Sequence, residues 1–223
     1  TWSLVGSEMC IRDRIDLVTN WMRVGFVHGV MNTDNMAISG ETIDYGPCAF
    51  MDNYDPQTVF SSIDHYGRYA YVNQPVIAHW NLVRFAETLI PLIDSDQSIA
   101  IKKVETEVLK FDELYKESWF KMMKSKVGII GEDENDLKLI NDLLSLMHRN
   151  QADYTNTFRN IMNGKLPKER LFNDPDFIFW EETWKDRLKK NNQPEEKSYD
   201  LMKVSNPVLI PRNHLVEEVL SEA

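Results

Sequence analysis

Apolar residues recur at steps of three and four along most of this chain, a period that sorts it into helices. Between residues 15 and 26, Leu17, Val18, Trp21, Met22, Val24 and Phe26 fall at roughly helical spacing and predict a helix. Residues 75–93 carry Val76, Ile77, Trp80, Val83, Ala86, Leu89, Ile90 and Ile93 at the same steps. Pro75 suits the first turn of that helix, where its missing N–H costs nothing. Farther on the composition becomes charged, with apolar stripes opposite Lys and Glu predicting helices over 98–124, 133–149, 152–163 and 176–191. Gly, Pro, Asn and Asp collect at 128–133, 164–167, 173–175 and 191–194, where breaks are expected. A last amphipathic helix is predicted over 212–223. Trp119, Trp180 and Trp184 lie on these stripes and are expected to be core anchors.

Period-two alternation is scarce. Met36-Ala37-Ile38 and Thr42-Ile43-Asp44 flank the turn Ser39-Gly40-Glu41 and predict one small β-hairpin. Residues 46–74 lack long periodicity but hold Phe50, Met51, Tyr54, Phe60, Tyr66, Tyr69 and Tyr71, so they are expected to be an ordered irregular loop. The fold class is therefore mainly α (α+β). Hydrophobic residues at 43% can build a real core, and the apolar runs are read as too short and too often charged to cross a bilayer. A formal charge of −10 with no basic stripe excludes a general nucleic-acid binder. Cys10 and Cys48 are the two cysteines, too few for a disulfide framework or thiolate metal site. A reducing, cytoplasmic location of bacterial type is expected.

Residues 4–14, LVGSEMCIRDR, resemble the translation of a transposase adapter used in sequencing libraries. Residues 1–14 are accordingly expected to be foreign to the protein, and the natural chain is expected to extend upstream. Setting them aside removes Glu8, Arg12, Asp13 and Arg14, which leaves the net charge unchanged.

The chemistry concentrates in His28-Gly-Val-Met-Asn-Thr-Asp34-Asn35 and in Asp44-Tyr-Gly46, nine residues after Asn35. Hard cations such as Mg²⁺ take oxygen ligands, commonly one or two protein groups plus phosphates and water. The Asn35 amide and Asp44 carboxylate meet that need. The predicted hairpin would carry both to one end, within reach of one ion. Asp34 is the carboxylate best placed to accept a proton from an incoming hydroxyl. His28 reads as a buried scaffold residue rather than an acid or base. Protein kinases carry their base immediately after the His-Arg of this loop and small-molecule kinases after His-Gly, and here that position is Val30. Either Asp34 has taken the role, or the chain is a catalytically silent kinase relative. Arg68 either ties its loop to the helical body or contacts a phosphate.

The His28 and Asp44 motifs, together with Gly67-Arg-Tyr-Ala-Tyr71, Asn73-Gln-Pro75, Trp80-Asn-Leu82 and Asp153-Tyr-Thr-Asn-Thr-Phe-Arg159, resemble the selenoprotein-O family. So do Asn206-Pro and Arg212-Asn, and the resemblance runs from about residue 17 to the end. It implies a kinase-like C-lobe at residues 15–97 followed by a helical C-terminal region at 98–223, with the N-lobe missing. It also implies a protein adenylyltransferase that moves AMP from ATP, with Mg²⁺ or Mn²⁺, onto hydroxyl side chains of other proteins. Asp34 would then be the proton acceptor, Asn35 and Asp44 the metal ligands, and Asp44 also a nucleotide contact. The partners implied are ATP and proteins, not nucleic acid or membrane. The family's glycine-containing nucleotide loop, phosphate-pairing Lys and helix Glu lie upstream of this motif set. The nine glycines here form no Gly-x-Gly-x-x-Gly, and Phe60 stands where many members carry cysteine. The chain alone is expected to be inactive. The alternatives are a phosphoryl-transferring kinase-like enzyme and a catalytically dead kinase-fold scaffold.

Overall fold

The first apolar run forms a longer helix than its periodicity predicts. In the computed structural model, which describes residues 2–168 and 170–222 with α1 side chains from residue 10 onward, α1 spans Trp2–Val24. It buries Ile11, Ile15, Val18, Trp21 and Met22 along one stripe. Arg14 is buried as well and donates to the Ala37 carbonyl. The chain divides into two units, the first comprising residues 1–22, 27–48 and 59–119.

In this first unit the predicted hairpin reduces to one antiparallel bridge, Met36↔Thr42. Its would-be ladder groups are engaged elsewhere: the Ala37 carbonyl takes Arg14 and the Gly40 amide, and the Ile43 carbonyl takes His28. Residues 59–70 are irregular, as expected, and lead through a 3-10 turn at Tyr71–Asn73 into α2, Gln74–Ile93. By length and composition Tyr71–Ile93 could span a membrane, which corrects the sequence expectation that no run is apolar enough. Its buried polar residues Gln74 and Asn81 are engaged instead with the chemistry-bearing loop.

The predicted helix over 98–124 is two helices. α3 (Gln97–Val108) packs on α2 and starts at Asp96, whose carboxylate accepts from the amides of Ser98 and Ile99. That cap satisfies donors left open at a helix N-terminus. α4 (Phe111–Lys126) follows, with Asp112 and Glu113 in its first turn and Lys124 in its last, matching the helix dipole. His79 on α2 stacks on Phe111 at 4.9 Å and lies 3.1 Å from the Asp112 carboxylate.

The second unit comprises residues 23–26, 49–58 and 120–223. The chain enters it at Arg23 and runs into β1, Phe26–Val27, which pairs with β2, Ala49–Phe50; the Phe26 and Phe50 rings meet at 5.3 Å. Its helices are α5 (Asp136–Arg149), α6 (Tyr154–Asn163), α7 (Pro175–Lys189), α8 (Glu195–Ser205) and α9 (Asn213–Glu222). Leu139, Ile140 and Leu143 of α5 and Phe177, Trp180 and Trp184 of α7 are buried, each worth roughly 2 kcal/mol in apolar burial. Both indoles are satisfied, Trp180 donating to Leu139 O and Trp184 to Val127 O, each at 2.8 Å. Trp119 is only half-buried.

Lys126 lies in this core. Its amine donates to Arg23 O at 2.7 Å and sits 4.0 Å from the Phe158 ring centroid. Burial, and then the Arg23 charge, hold its pKa well below the ordinary lysine value. The architecture is thus mainly helical with a minimal β element, matching a kinase-like C-lobe followed by a helical extension.

Candidate functional site

All the residues that carry candidate chemistry lie in the first unit. β1 ends at Val27 and delivers His28, which is fully buried. The His28 amide donates to Gln74 Oε1 of α2 at 2.9 Å. Its Nε2 lies 2.9 Å from Ile43 O, and because a carbonyl only accepts, Nε2 carries the proton. The imidazole packs 5.3 Å from the Trp21 ring, whose own N–H donates to Thr42 Oγ1 at 2.9 Å. Two side chains of one neighbourhood therefore grip residues 42 and 43, immediately before Asp44.

Three residues on, the Met31 carbonyl accepts from Asn81 Nδ2 at 2.9 Å. Gln74 and Asn81 stand seven apart, two helical turns, so one face of α2 holds the loop at both 28 and 31. The loop then rises into a 3-10 turn, Thr33–Asn35, closed by Asn35 N to Asn32 O at 3.0 Å. Asp34 is exposed at its crest and accepts from Thr33 Oγ1 at 3.3 Å. Asn35 is half-buried, and its Nδ2 donates to Val30 O at 3.1 Å. That bond commits the amide nitrogen, so Oδ1 is the end of this side chain able to meet a cation.

Asp44 is exposed and adopts the left-handed region at φ 53°, which Asp tolerates better than most residues. Asn35 precedes Met36 by one residue and Asp44 follows Thr42 by two, so both leave the same end of the Met36↔Thr42 bridge. One amide oxygen and one carboxylate are hard donors. Among the described residues no group of three or more His, Cys, Asp or Glu converges as a self-sufficient metal cage. The donor set suits a cation whose other ligands are phosphates and water. Gly29 adds a steric lock at φ 86°, because a Cβ there would meet Pro47 Cγ at 2.9 Å and Pro47 O at 3.0 Å.

The segment after residue 59 is fastened to the same loop. Asp64 accepts from the amides of Arg68 and Tyr69 at 2.8 Å each, and Tyr69 Oη donates to Asn32 Oδ1 at 2.5 Å. Asn73 Nδ2 donates to Gly67 O at 2.7 Å, and Tyr71 Oη to Met22 O at 2.7 Å. Arg68 is exposed, with its guanidinium 5.0 Å from the Trp80 ring centroid and 5.7 Å from that of Tyr69. Cys48 is half-buried, and burial pushes its thiol up, away from a reactive thiolate.

Gln74, Asn81, Asn32 and Tyr69 escaped the sequence reading as site residues. The available signal was a Gln and an Asn two turns apart on an otherwise apolar helix.

The sequence profile of the family described as "Protein adenylyltransferase SelO" matches residues 8–223. The chain is 53% identical over 208 residues to the "Protein nucleotidyltransferase YdiU" of Nitrosococcus oceani, covering 93% of this chain and 42% of that protein. The protein so named in Clostridium botulinum (strain Alaska E43 / Type E3) is 55% identical over 213 residues, covering 96% and 43%. That of Pelagibacter ubique is 54% identical over 213 residues, covering 96% and 44%. The chain thus spans less than half the length of these curated relatives. With its kinase-like lobe and its matched length, the chain belongs to the SelO protein adenylyltransferase family.

Proposed function

We propose that this chain is the C-terminal portion of an enzyme that transfers AMP from ATP to Ser, Thr or Tyr hydroxyls of proteins. The observation that carries the proposal is the His28–Ile43 hydrogen bond together with the Met36↔Thr42 bridge. They fasten the loop bearing Asp34 and Asn35 to the turn bearing Asp44. The family membership and the nucleotidyltransferase names of the relatives support the choice of reaction.

Asp34 takes the proton of the acceptor hydroxyl. The hydroxyl oxygen forms a bond to the α-phosphorus of ATP, the bond from that phosphorus to the bridging oxygen breaks, and pyrophosphate leaves with the electron pair. Its exposed position on a loop pinned at residues 28 and 31 gives the Asp34 carboxylate both access and a fixed place. Asn35 and Asp44 would hold Mg²⁺ or Mn²⁺, which when bound neutralises phosphate charge. His28, buried and donating through Nε2, keeps Asp44 in register and moves no proton. Val30 favours a second reading, a silent kinase-fold scaffold, because it leaves the ordinary kinase base position without a carboxylate.

ATP labelled at the α- or γ-phosphate separates adenylylation from phosphorylation in the full-length enzyme. Asp34→Ala should lower α-label transfer by about 10²- to 10⁴-fold with an unchanged thermal midpoint. Undiminished transfer would remove Asp34 from the chemistry. Asn35→Ala with Asp44→Ala should abolish metal-dependent ATP binding, and retained binding would refute the ligand assignment.

A further inference from the structure

We propose that the cleft beside Asp34 is the acceptor-protein subsite, and that Arg68 and Arg84, set around Trp80, select an acceptor segment with a carboxylate close to its hydroxyl. The inference rests on the adenylyl-transfer reading above. The cleft measures about 540 Å³ and is lined, among others, by Thr33, Met36, Trp80, Arg84 and Phe85 and, from α1, by Cys10 and by Arg14, whose guanidinium is committed to the Ala37 carbonyl. Thr33 is the link to the chemistry, since it lines the cleft and donates to the Asp34 carboxylate at 3.3 Å. Asp34 does not itself line the cleft, so a segment lying there would reach the proposed proton acceptor across Thr33.

The charge balance around Trp80 identifies the occupant. The guanidinium of Arg68 lies 5.0 Å from the Trp80 ring centroid and that of Arg84 5.5 Å, so two like charges share one indole. Arg84 pairs with Glu87 at 2.6 Å. Arg68 makes no ion pair among the described residues, although acidic residues outnumber basic ones, 35 to 25. Arg68 does not line the cleft itself but stands against the Trp80 ring that does, its charge held by stacking rather than by an acid. Trp80 is 40% exposed, and Met36 and Phe85 supply an apolar wall beside it. A guanidinium fork reads a carboxylate through paired N–H bonds, while the ring and wall accept an apolar neighbour. A nucleotide phosphate is also an oxyanion that Arg68 can bind, so the test separates the two.

The experiment uses the full-length enzyme, ATP labelled at the α-phosphate, and matched acceptor peptides whose Ser, Thr and Tyr residues are flanked by Glu, Gln or Lys. The Glu peptide should show the lowest KM. Arg68→Ala with Arg84→Ala should raise that KM about 10-fold while the KM for ATP holds. Arg68→Glu with Arg84→Glu should transfer the preference to the Lys peptide, a gain that misfolding cannot produce. Equal KM values for Glu and Gln peptides on the unmodified enzyme would overturn the inference, as would a rise confined to the KM for ATP. Anisotropy of a fluorescent Glu peptide without ATP gives an independent readout. Charge-selective binding without any AMP transfer would refute the reaction and keep the subsite; transfer without charge selection would do the reverse.

Discussion

Gly29 links the two chemical motifs through shape alone. Its φ of 86° disfavours side chains, and the Cβ of any other residue would press on the side chain and carbonyl of Pro47, three residues beyond Asp44. Gly29→Ala is expected to cost roughly 1–3 kcal/mol through backbone strain and this clash. Calorimetry should register it as a lower thermal midpoint, and an unchanged midpoint would mean that residues 29 and 47 are not in contact. The neighbouring His28 has a different reason to be there. It is buried with one ring nitrogen committed to Ile43 O, so its role in the chain is to hold residue 43 in place.

At the scale of elements, α7 shows how a cap couples to pH. Asp174 stands at its N-cap, accepting from the Asp176 amide at 3.0 Å, from Asn150 Nδ2 at 2.8 Å and from Arg149 at 2.7 Å. The Asn150 and Arg149 hydrogen bonds, in that order, lower its pKa to about 2. The folded value lies below the unfolded one, so the contribution to stability is fully present above the unfolded pKa, about 3.9, and is lost as pH falls through about 2. Asp174→Asn should flatten the fall of the thermal midpoint between pH 4 and 2. An unaltered slope would mean that this carboxylate is not linked to folding. α7 itself was legible, since its stripe and the Asp-Pro that opens it are visible in the sequence. The break between α3 and α4 was not, because Leu109 and Lys110 carry neither Gly nor Pro. α8 left no apolar stripe either: it buries Ser198, Met202 and Ser205, while Val204 faces solvent. The hairpin was over-read, because side chains from residues 14 and 28 take carbonyls that a ladder would need. Spacing puts forward Asp34, Asn35 and Asp44 only as candidates, whereas Gln74, Asn81 and Tyr69 make their bonds to the loop with partners 37 to 50 residues away.

At the scale of the whole molecule, charge and length bear on the proposed reaction together. ATP brings several negative charges, and the chain carries a net −10. The proposed nucleotide contacts are an Asp and an Asn, which engage phosphate only through a cation. Arg68 and Arg84, in the proposed acceptor subsite, face a different partner. The residues proposed to hold the nucleotide therefore include no protein cation, and the chain matches 42–45% of the relatives' length. The chain by itself is expected to fold around its two buried cores yet incorporate no α-label into acceptor proteins, while an enzyme of the relatives' full length should do so under the same conditions. Circular dichroism with a cooperative melt checks the first half, and label incorporation at saturating Mg²⁺ or Mn²⁺ checks the second. Transfer by the 223 residues alone would show that Asn35, Asp44 and a bound cation suffice to hold ATP, and would return Arg68 to the phosphate.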